Sequence, residues 1–113
     1  MFNGIIFNTG KVKNIKKHKN SIYVGVQTKI SFKNKDLGTS ICCDGVCLTV
    51  EKVNKNMLFF YVSNETLKRS NFKNLKLNQK INLEKSLSYG KNISGHFIQG
   101  HVDTVAKIKK ISF

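Results

Sequence analysis

The dipeptide Asp44-Gly45 lies between two strand-like segments, SICC (40–43) and VCLTVEKV (46–53). Asp and Gly both tolerate a positive φ, so a two-residue Asp-Gly connection is one of the stronger local signals for an antiparallel hairpin. The sequence therefore predicts a β-hairpin at this position, and the rest of the chain must supply strands that are compatible with it.

Short strand-like segments recur on both sides of this hairpin. In SIYVGVQ (21–27), Ile22, Val24 and Val26 alternate onto one face, as expected for a half-buried strand. The turn signals are Thr9-Gly10 and Asn54-Lys55-Asn56. Together these patterns predict further strands at 2–8, 11–17, 21–27, 57–63 and 80–87.

One segment differs from the strand pattern. NETLKRSNF (64–72) predicts one or two helical turns, with Asn64 as the N-cap and Glu65 near the positive end of the helix. These strand-like segments, with turns every 8–12 residues, and one short helix indicate an all-β protein, which we expect to have six strands in the sheet. We expect a small closed barrel, because closure removes the exposed edges of such short strands.

The end of the chain resembles its beginning. When residues 97–111 are aligned with residues 1–15, Gly100 falls under Gly4 and Val102 under Ile6. We interpret 1–96 as one barrel and 97–113 as the opening strand of a second, truncated copy. Two unrelated amphipathic strands are the alternative.

Length and composition limit the class of protein. A chain of 113 residues with 40% hydrophobic residues is sufficient for one modest core. It contains no run of 18 apolar residues, so no membrane-spanning helix is expected. The N-terminal residues lack the pattern of a secretion signal, so we expect a cytoplasmic location and no membrane partner.

The net charge of +14 could indicate a nucleic-acid partner. Arg69 is the single arginine, however, and lysines are distributed along the whole chain. Arginine is the residue best suited to bidentate contacts with phosphate and guanine. We therefore expect no dedicated nucleic-acid site, and a basic barrel that binds single strands is kept as a remote alternative.

Cys42, Cys43 and Cys47 lie within six residues of one another. Three cysteines at this spacing form a poor disulfide framework and lack the paired spacing of structural zinc ligands. We interpret them as small, mostly buried thiols in strands and expect no metal site.

Five segments resemble the signature blocks of riboflavin synthase, in the same order and spacing. They are MFNGII (1–6), SICCDGVCLTVEKV (40–53), VSNETLKRSNF (62–72), INLEKSL (81–87) and GHFIQGHVD (95–103). Proteins of that family have two similar six-stranded Greek-key barrels in tandem and a C-terminal helix that forms a trimer. The resemblance implies that this chain matches the first barrel and the opening strand of the second.

The resemblance also implies an activity. The family converts two molecules of 6,7-dimethyl-8-ribityllumazine into riboflavin and 5-amino-6-ribitylaminouracil by transfer of a four-carbon unit, a transferase reaction that needs no metal and no separate cofactor. The expected partners are the lumazine, riboflavin and further copies of the chain, as a homotrimer for a full-length member and a dimer for this chain. A non-catalytic lumazine- or flavin-binding module of the same fold is the alternative.

Carried over by resemblance, the ligand-binding residues come from four segments that we expect to converge around one flat ligand inside the barrel. They are Gly4, Ile5, Ile6, Cys47, Leu48, Thr49, Tyr61, Val62, Ser63, Asn64, Glu65, Thr66, Gly100, His101 and Val102. Ser40 and Phe2 are plausible neighbours. The candidates for a catalytic role are His101 as an acid or base, Cys47 as a nucleophile, and Phe2 as a stacking surface.

Several of these candidates also have a purely structural interpretation. Leu48 and Thr49 could simply pack within a strand, and Glu65 could be a helix-start carboxylate without a ligand. His101 could make a structural hydrogen bond instead of transferring a proton.

Overall fold

A computed structural model of the chain describes residues 2–86 and 101–113. Six strands and one α-helix account for most of the first range, with 3₁₀ turns at Asn34–Asp36 and Asn71–Asn74. The elements are β1 (Asn8–His18), β2 (Ser21–Thr28), β3 (Ser40–Cys43), β4 (Val46–Asn54), β5 (Met57–Val62), α1 (Asn64–Arg69) and β6 (Lys80–Lys85).

The six strands form a closed antiparallel barrel in the order β1-β2-β5-β4-β3-β6, with β6 pairing back onto β1. Every strand thus has two hydrogen-bonded neighbours, and the short β3 is protected between β4 and β6. The prediction of an all-β, six-stranded closed barrel with one short helix is confirmed.

Alternation along the strands fills the barrel with apolar side chains. In β2, Val24 and Val26 face inward at 1% exposure each, opposite Phe60 and Leu58 of β5. Phe60 is fully buried, whereas its neighbour Phe59 faces the outside, where the Lys52 ammonium lies 5.4 Å from its ring centroid. The interior is therefore a packed core.

The predicted Asp44-Gly45 hairpin is confirmed. Cys43 pairs with Val46 across the turn, and the two turn residues have φ values of 48° and 85°. Positive φ at both central residues is the geometry whose twist matches two antiparallel strands. This turn fixes the register of β3 against β4 and hence which hairpin side chains face outward.

The predicted strand at 2–8 and the turn at Thr9-Gly10 are wrong. β1 begins at Asn8 and continues through Thr9 and Gly10, which pair with β6. A Cβ on Gly10 would lie only 2.5 Å from Val26 Cγ1, so this glycine allows close packing inside the barrel and does not make a turn. Gly4 has a φ of 78°, which interrupts an extended chain before β1.

The helix is present but its cap is not the expected residue. Ser63, and not Asn64, is the N-cap of α1: the Ser63 side chain accepts a hydrogen bond from the Thr66 backbone N–H at 3.2 Å. α1 ends at Arg69, and Ser70 then caps the following 3₁₀ turn by accepting from the Phe72 N–H at 3.3 Å. Ser70 thus divides the predicted segment 64–72 into the helix α1 and a 3₁₀ turn.

Replacing Ser63 with Ala should lower the free energy of unfolding by about 1 kcal/mol, because a helix N–H loses its acceptor. Asn64→Ala is the matched control and should have a smaller effect, since Asn64 is exposed and within the helix. Urea denaturation of both variants measures the difference. Equal losses would contradict the assignment of the cap.

Residues 101–113 are described without helix or strand and are mostly exposed. Gly100 and the rest of 87–100 lie outside the described residues, so the division into 1–96 and an opening strand at 97–113 stays a prediction. Among residues 2–86 and 101–113, the one α-helix, α1, has six residues, and no helix there could span a bilayer.

Candidate functional site

A cavity of about 190 Å³ lies on the outside of the barrel, beside the Asp44-Gly45 hairpin. Three separate parts of the chain form its wall: the start of β4, the helix α1 with the residue that follows it, and the segment that begins at His101. Its lining residues are Val46, Cys47, Thr66, Arg69, Ser70, His101 and Val102. Four of the predicted ligand-binding residues therefore meet here, namely Cys47, Thr66, His101 and Val102.

The alternation of side chains along β4 explains why Cys47 reaches this cavity. Val46 and Leu48 are buried on the inner side of β4, at 4% and 5% exposure, so Cys47 between them faces out and is half-buried. On the helix side, Ser70 is 2% exposed and donates its hydroxyl to the Thr66 carbonyl at 2.6 Å. The cavity wall is therefore formed by residues with well-defined positions.

Val102 connects the C-terminal segment to the hairpin. It is half-buried, and its Cγ2 lies 3.2 Å from the position that a Cβ on Gly45 would occupy. A side chain at Gly45 would thus press against Val102, in addition to being strained by the positive φ. Gly45 therefore has two roles: it adopts the positive φ that the turn requires, and it leaves room for Val102 to lie beside the cavity.

Other predicted residues lie elsewhere. Leu48 and Val62 belong to the barrel core. The Glu65 carboxylate is exposed and pairs with Arg69 at 3.1 Å. Tyr61 is 40% exposed and contacts the ring of Tyr23, with 5.3 Å between the ring centroids.

The expectation of a ligand inside the barrel is wrong, because apolar side chains fill that space. Thr49 is exposed on β4 opposite the half-buried Ser40. Ser63 and Asn64 are at the start of α1, where the Ser63 hydroxyl is engaged with the Thr66 hydroxyl at 3.1 Å and with its N–H. These residues lie around the hairpin and helix start without lining the cavity.

The N-terminal candidates are held by a carboxylate. Glu84 of β6 is 9% exposed and accepts hydrogen bonds from the backbone N–H groups of Asn3 and Gly4, the latter at 3.0 and 3.1 Å. Phe2 is buried, whereas Ile5 and Ile6 are 44% and 42% exposed. Glu84 is also the β6 partner of Cys42, so the N-terminal residues cross the outer face next to the hairpin.

Replacing Glu84 with Gln should weaken this attachment, since a charged acceptor is worth more than a neutral one. We expect amide hydrogen exchange at Asn3 and Gly4 to accelerate about tenfold, equivalent to about 1.4 kcal/mol. Glu51→Gln changes an exposed carboxylate on β4 and is the matched control. Unchanged exchange in the Glu84 variant would contradict the role of the Glu84 carboxylate in holding Asn3 and Gly4.

Val46, Arg69 and Ser70 line the cavity but were not predicted as ligand-binding residues. A signal for Arg69 was available: it follows Thr66 by three residues, and residues at this spacing share one face of a helix. Ser70 carried no such signal, because its role depends on where α1 ends. One end of the Arg69 guanidinium pairs with Glu65, and its remaining N–H groups can donate hydrogen bonds to a carbonyl-rich ring edge at the cavity wall.

The three thiols differ in their environment. Burial, and then the Glu84 charge, raises the pKa of Cys42, and burial raises the pKa of Cys43 even further. Both therefore stay protonated near neutral pH, and Cys47 is the thiol that reaches the cavity. Within 2–86 and 101–113, no three His, Cys, Asp or Glu side chains are grouped as a metal site would require.

A larger cavity, about 530 Å³, shares no lining residue with the first. Gly10, Thr28 and Phe7 contribute to it, together with three lysines, Lys11, Lys29 and Lys80. None of the predicted ligand-binding residues lines this space. It is therefore a physically distinct alternative location for a ligand.

Comparison with known proteins identifies relatives of the whole chain. Riboflavin synthase of Bacillus subtilis (strain 168) is 35% identical over 111 residues, which are 98% of this chain and 52% of that protein. Riboflavin synthase of Chlamydia muridarum is 37% identical over 108 residues, covering 96% and 54%. The chain spans about half the length of the curated relatives it matches.

Solved structures share the fold. LumP complexed with 6,7-dimethyl-8-(1'-D-ribityl) lumazine matches with a TM-score of 0.75 and 23% identity, over 92% of this chain and 58% of that one. LumP complexed with riboflavin gives a TM-score of 0.76 and 23% identity, over 92% and 56%. A family model described as the lumazine binding domain matches residues 3–86. The chain belongs to the lumazine-binding domain family.

Proposed function

We propose that this chain is the N-terminal lumazine-binding half of a riboflavin synthase and holds one molecule of 6,7-dimethyl-8-ribityllumazine. The observation that carries the proposal is the meeting of Cys47, Thr66 and His101 around one cavity, from positions far apart in the sequence. The named activity of the relatives and their similarity across nearly the whole chain support it.

The ligand would occupy more than the first cavity. A neighbouring cavity of about 200 Å³ shares Val46, Ser70 and Val102 with it and continues past Asp44. Sites for drug-sized ligands usually measure about 300–1,000 Å³. A fused ring with a ribityl chain therefore needs both spaces, and the shared residues make them one groove along the hairpin and α1.

The reaction joins two identical molecules, so it needs two sites that face each other. One barrel supplies one of them, and a similar barrel supplies the other. Fixing the two reactants relative to each other can replace roughly 7–11 kcal/mol of the barrier. His101 and Cys47 line the cavity and are our candidates for proton transfer and for a nucleophile, whereas Phe2, the candidate stacking surface, is buried and does not line it.

A non-catalytic lumazine- or flavin-binding module is the second candidate. The observation that favours it is coverage: the chain spans about half of the enzymes it matches. A single barrel with one ligand lacks the second reactant unless two copies associate. We accordingly propose that turnover requires self-association, as a dimer of this chain or a trimer of a longer one.

Fluorescence titration with 6,7-dimethyl-8-ribityllumazine tests binding, and riboflavin formation in the same samples tests turnover. We expect saturable binding with one ligand per chain, and riboflavin formation that increases with the fraction of associated chains in sedimentation. Binding without riboflavin at any concentration would support the non-catalytic module. A folded chain that does not bind the lumazine would overturn both candidates.

A further inference from the structure

Cys42 and Cys47 are directly opposite each other on the two arms of the hairpin. Side chains of directly opposed residues lie on the same face of the sheet. Cys43, the next residue, faces the other way into the core and is fully buried. The hairpin thus separates the three thiols into an outward-facing pair and one inward-facing thiol.

The hydrogen-bond pattern between β3 and β4 indicates that the Cα atoms of Cys42 and Cys47 form a closely spaced cross-strand pair. The Val50 N–H donates to the Thr39 carbonyl at 2.9 Å, and hydrogen-bonded and non-hydrogen-bonded pairs alternate along an antiparallel ladder. Three steps further on, Cys42 and Cys47 are therefore a non-hydrogen-bonded pair. The Cα atoms of such a pair lie about 4.5 Å apart, within the roughly 4.4–6.8 Å that disulfides span.

We propose that Cys42 and Cys47 form a thiol-oxidation site, which a hydroperoxide converts reversibly into a cross-strand disulfide in the wall of the candidate ligand cavity. Cys47 is the entry point because it is half-buried and lines the cavity, whereas Cys42 is only 6% exposed. Cys42 does not need access to solvent, since its reaction partner is the sulfur opposite.

The chemistry balances with hydrogen peroxide as the oxidant. The Cys47 thiolate attacks one peroxide oxygen, forming an S–O bond and breaking the O–O bond, and one water leaves after protonation. The Cys42 sulfur then attacks the oxidised Cys47 sulfur, forming the S–S bond and breaking the S–O bond. A second water leaves, so two thiols and one peroxide yield one disulfide and two waters. A dithiol reductant reverses the change by exchange.

The local charges favour this order of steps. Burial, followed by the Glu84 carboxylate, raises the pKa of Cys42, which disfavours its thiolate and therefore its own direct attack on the peroxide. Asp44 and Cys47 itself act in the same direction, while a hydrogen bond from the Gly45 backbone opposes them. The site thus combines an accessible attacking thiol with a protected resolving thiol.

Peroxide treatment of the folded, reduced protein tests the proposal, followed by alkylation of remaining thiols and fragmentation mass spectrometry. We expect two of the three thiols to be lost together, with the mass lower by two hydrogen atoms and the link assigned to Cys42 and Cys47. Dithiothreitol should restore all three thiols. Stable oxidation of Cys47 alone, or a link that involves Cys43, would overturn the proposal.

Variants provide an independent measurement. Cys43→Ala should still form the link, whereas Cys42→Ala should lose it completely and accumulate oxidised Cys47 that dimedone traps. Circular dichroism checks that each variant is folded. If Cys43→Ala does not fold, the assignment in the unaltered protein still decides the result. A link that persists in Cys42→Ala would contradict the cross-strand pairing.

Discussion

Phe60→Ala should lower the free energy of unfolding by about 3–5 kcal/mol, the largest stability loss that we expect from one side chain. Phe60 is fully buried at the centre of the barrel, where β5 pairs with β2 on one side and β4 on the other. Removing its ring leaves a cavity that two neighbouring strands cannot fill without disturbing their pairing. Urea denaturation measures the loss directly.

Phe59 is the matched control, because it has the same chemistry, lies on the same strand and faces outward. It contacts Lys52 and lies over Gly25, so Phe59→Ala should cost about 1 kcal/mol. Thermal unfolding should show the same order, with a shift of about 4–8 °C for each kcal/mol in a domain of this size. Similar losses in the two variants would contradict the inward and outward assignment.

Cys47→Tyr should raise the dissociation constant for 6,7-dimethyl-8-ribityllumazine at least about thirtyfold, or about 2 kcal/mol. The phenol ring would extend into the cavity of about 190 Å³ that Cys47 lines and would occupy the space proposed for the ligand. Because Cys47 faces away from the core, the barrel itself should remain intact. Fluorescence titration measures the affinity, and circular dichroism checks the fold.

Asn54→Tyr is the control for this substitution. Asn54 is uncharged, exposed and at the far end of the same strand, so a tyrosine there should leave the affinity within about twofold of the original. If Cys47→Tyr binds the lumazine as tightly as Asn54→Tyr, the ligand lies elsewhere on the protein.

Strand patterns could be read from the sequence wherever burial alternates. The inward positions Ile22, Val24 and Val26 and the Asp44-Gly45 turn were predictable, because side-chain period and positive φ are local properties. Gly10 was not predictable in this way. Its role depends on Val26 and Leu83, which approach it from two other strands.

For the candidate site as well, local patterns were predictable from the sequence and contacts between distant segments were not. The segments that contribute to it were identifiable, but which of their residues meet depends on the hairpin register and on the place where α1 ends. Thr66 faces the cavity while Glu65, one residue earlier, turns to Arg69 in an ion pair. Arg69 and Ser70 were missed because, within the block at 62–72, ligand-binding roles were carried over only as far as Thr66. The hydrogen bond from the Gly4 N–H to Glu84 joins residues 80 positions apart, so no local sequence pattern predicts it.

Amide chemical shifts of the isotopically labelled protein during titration with 6,7-dimethyl-8-ribityllumazine are the most direct test of where the ligand binds. The proposed site predicts that the largest changes occur at Cys47, Thr66 and His101, with saturation at one ligand per chain. Changes concentrated at Gly10 and Thr28, which line the larger lysine-bordered cavity, would instead contradict it.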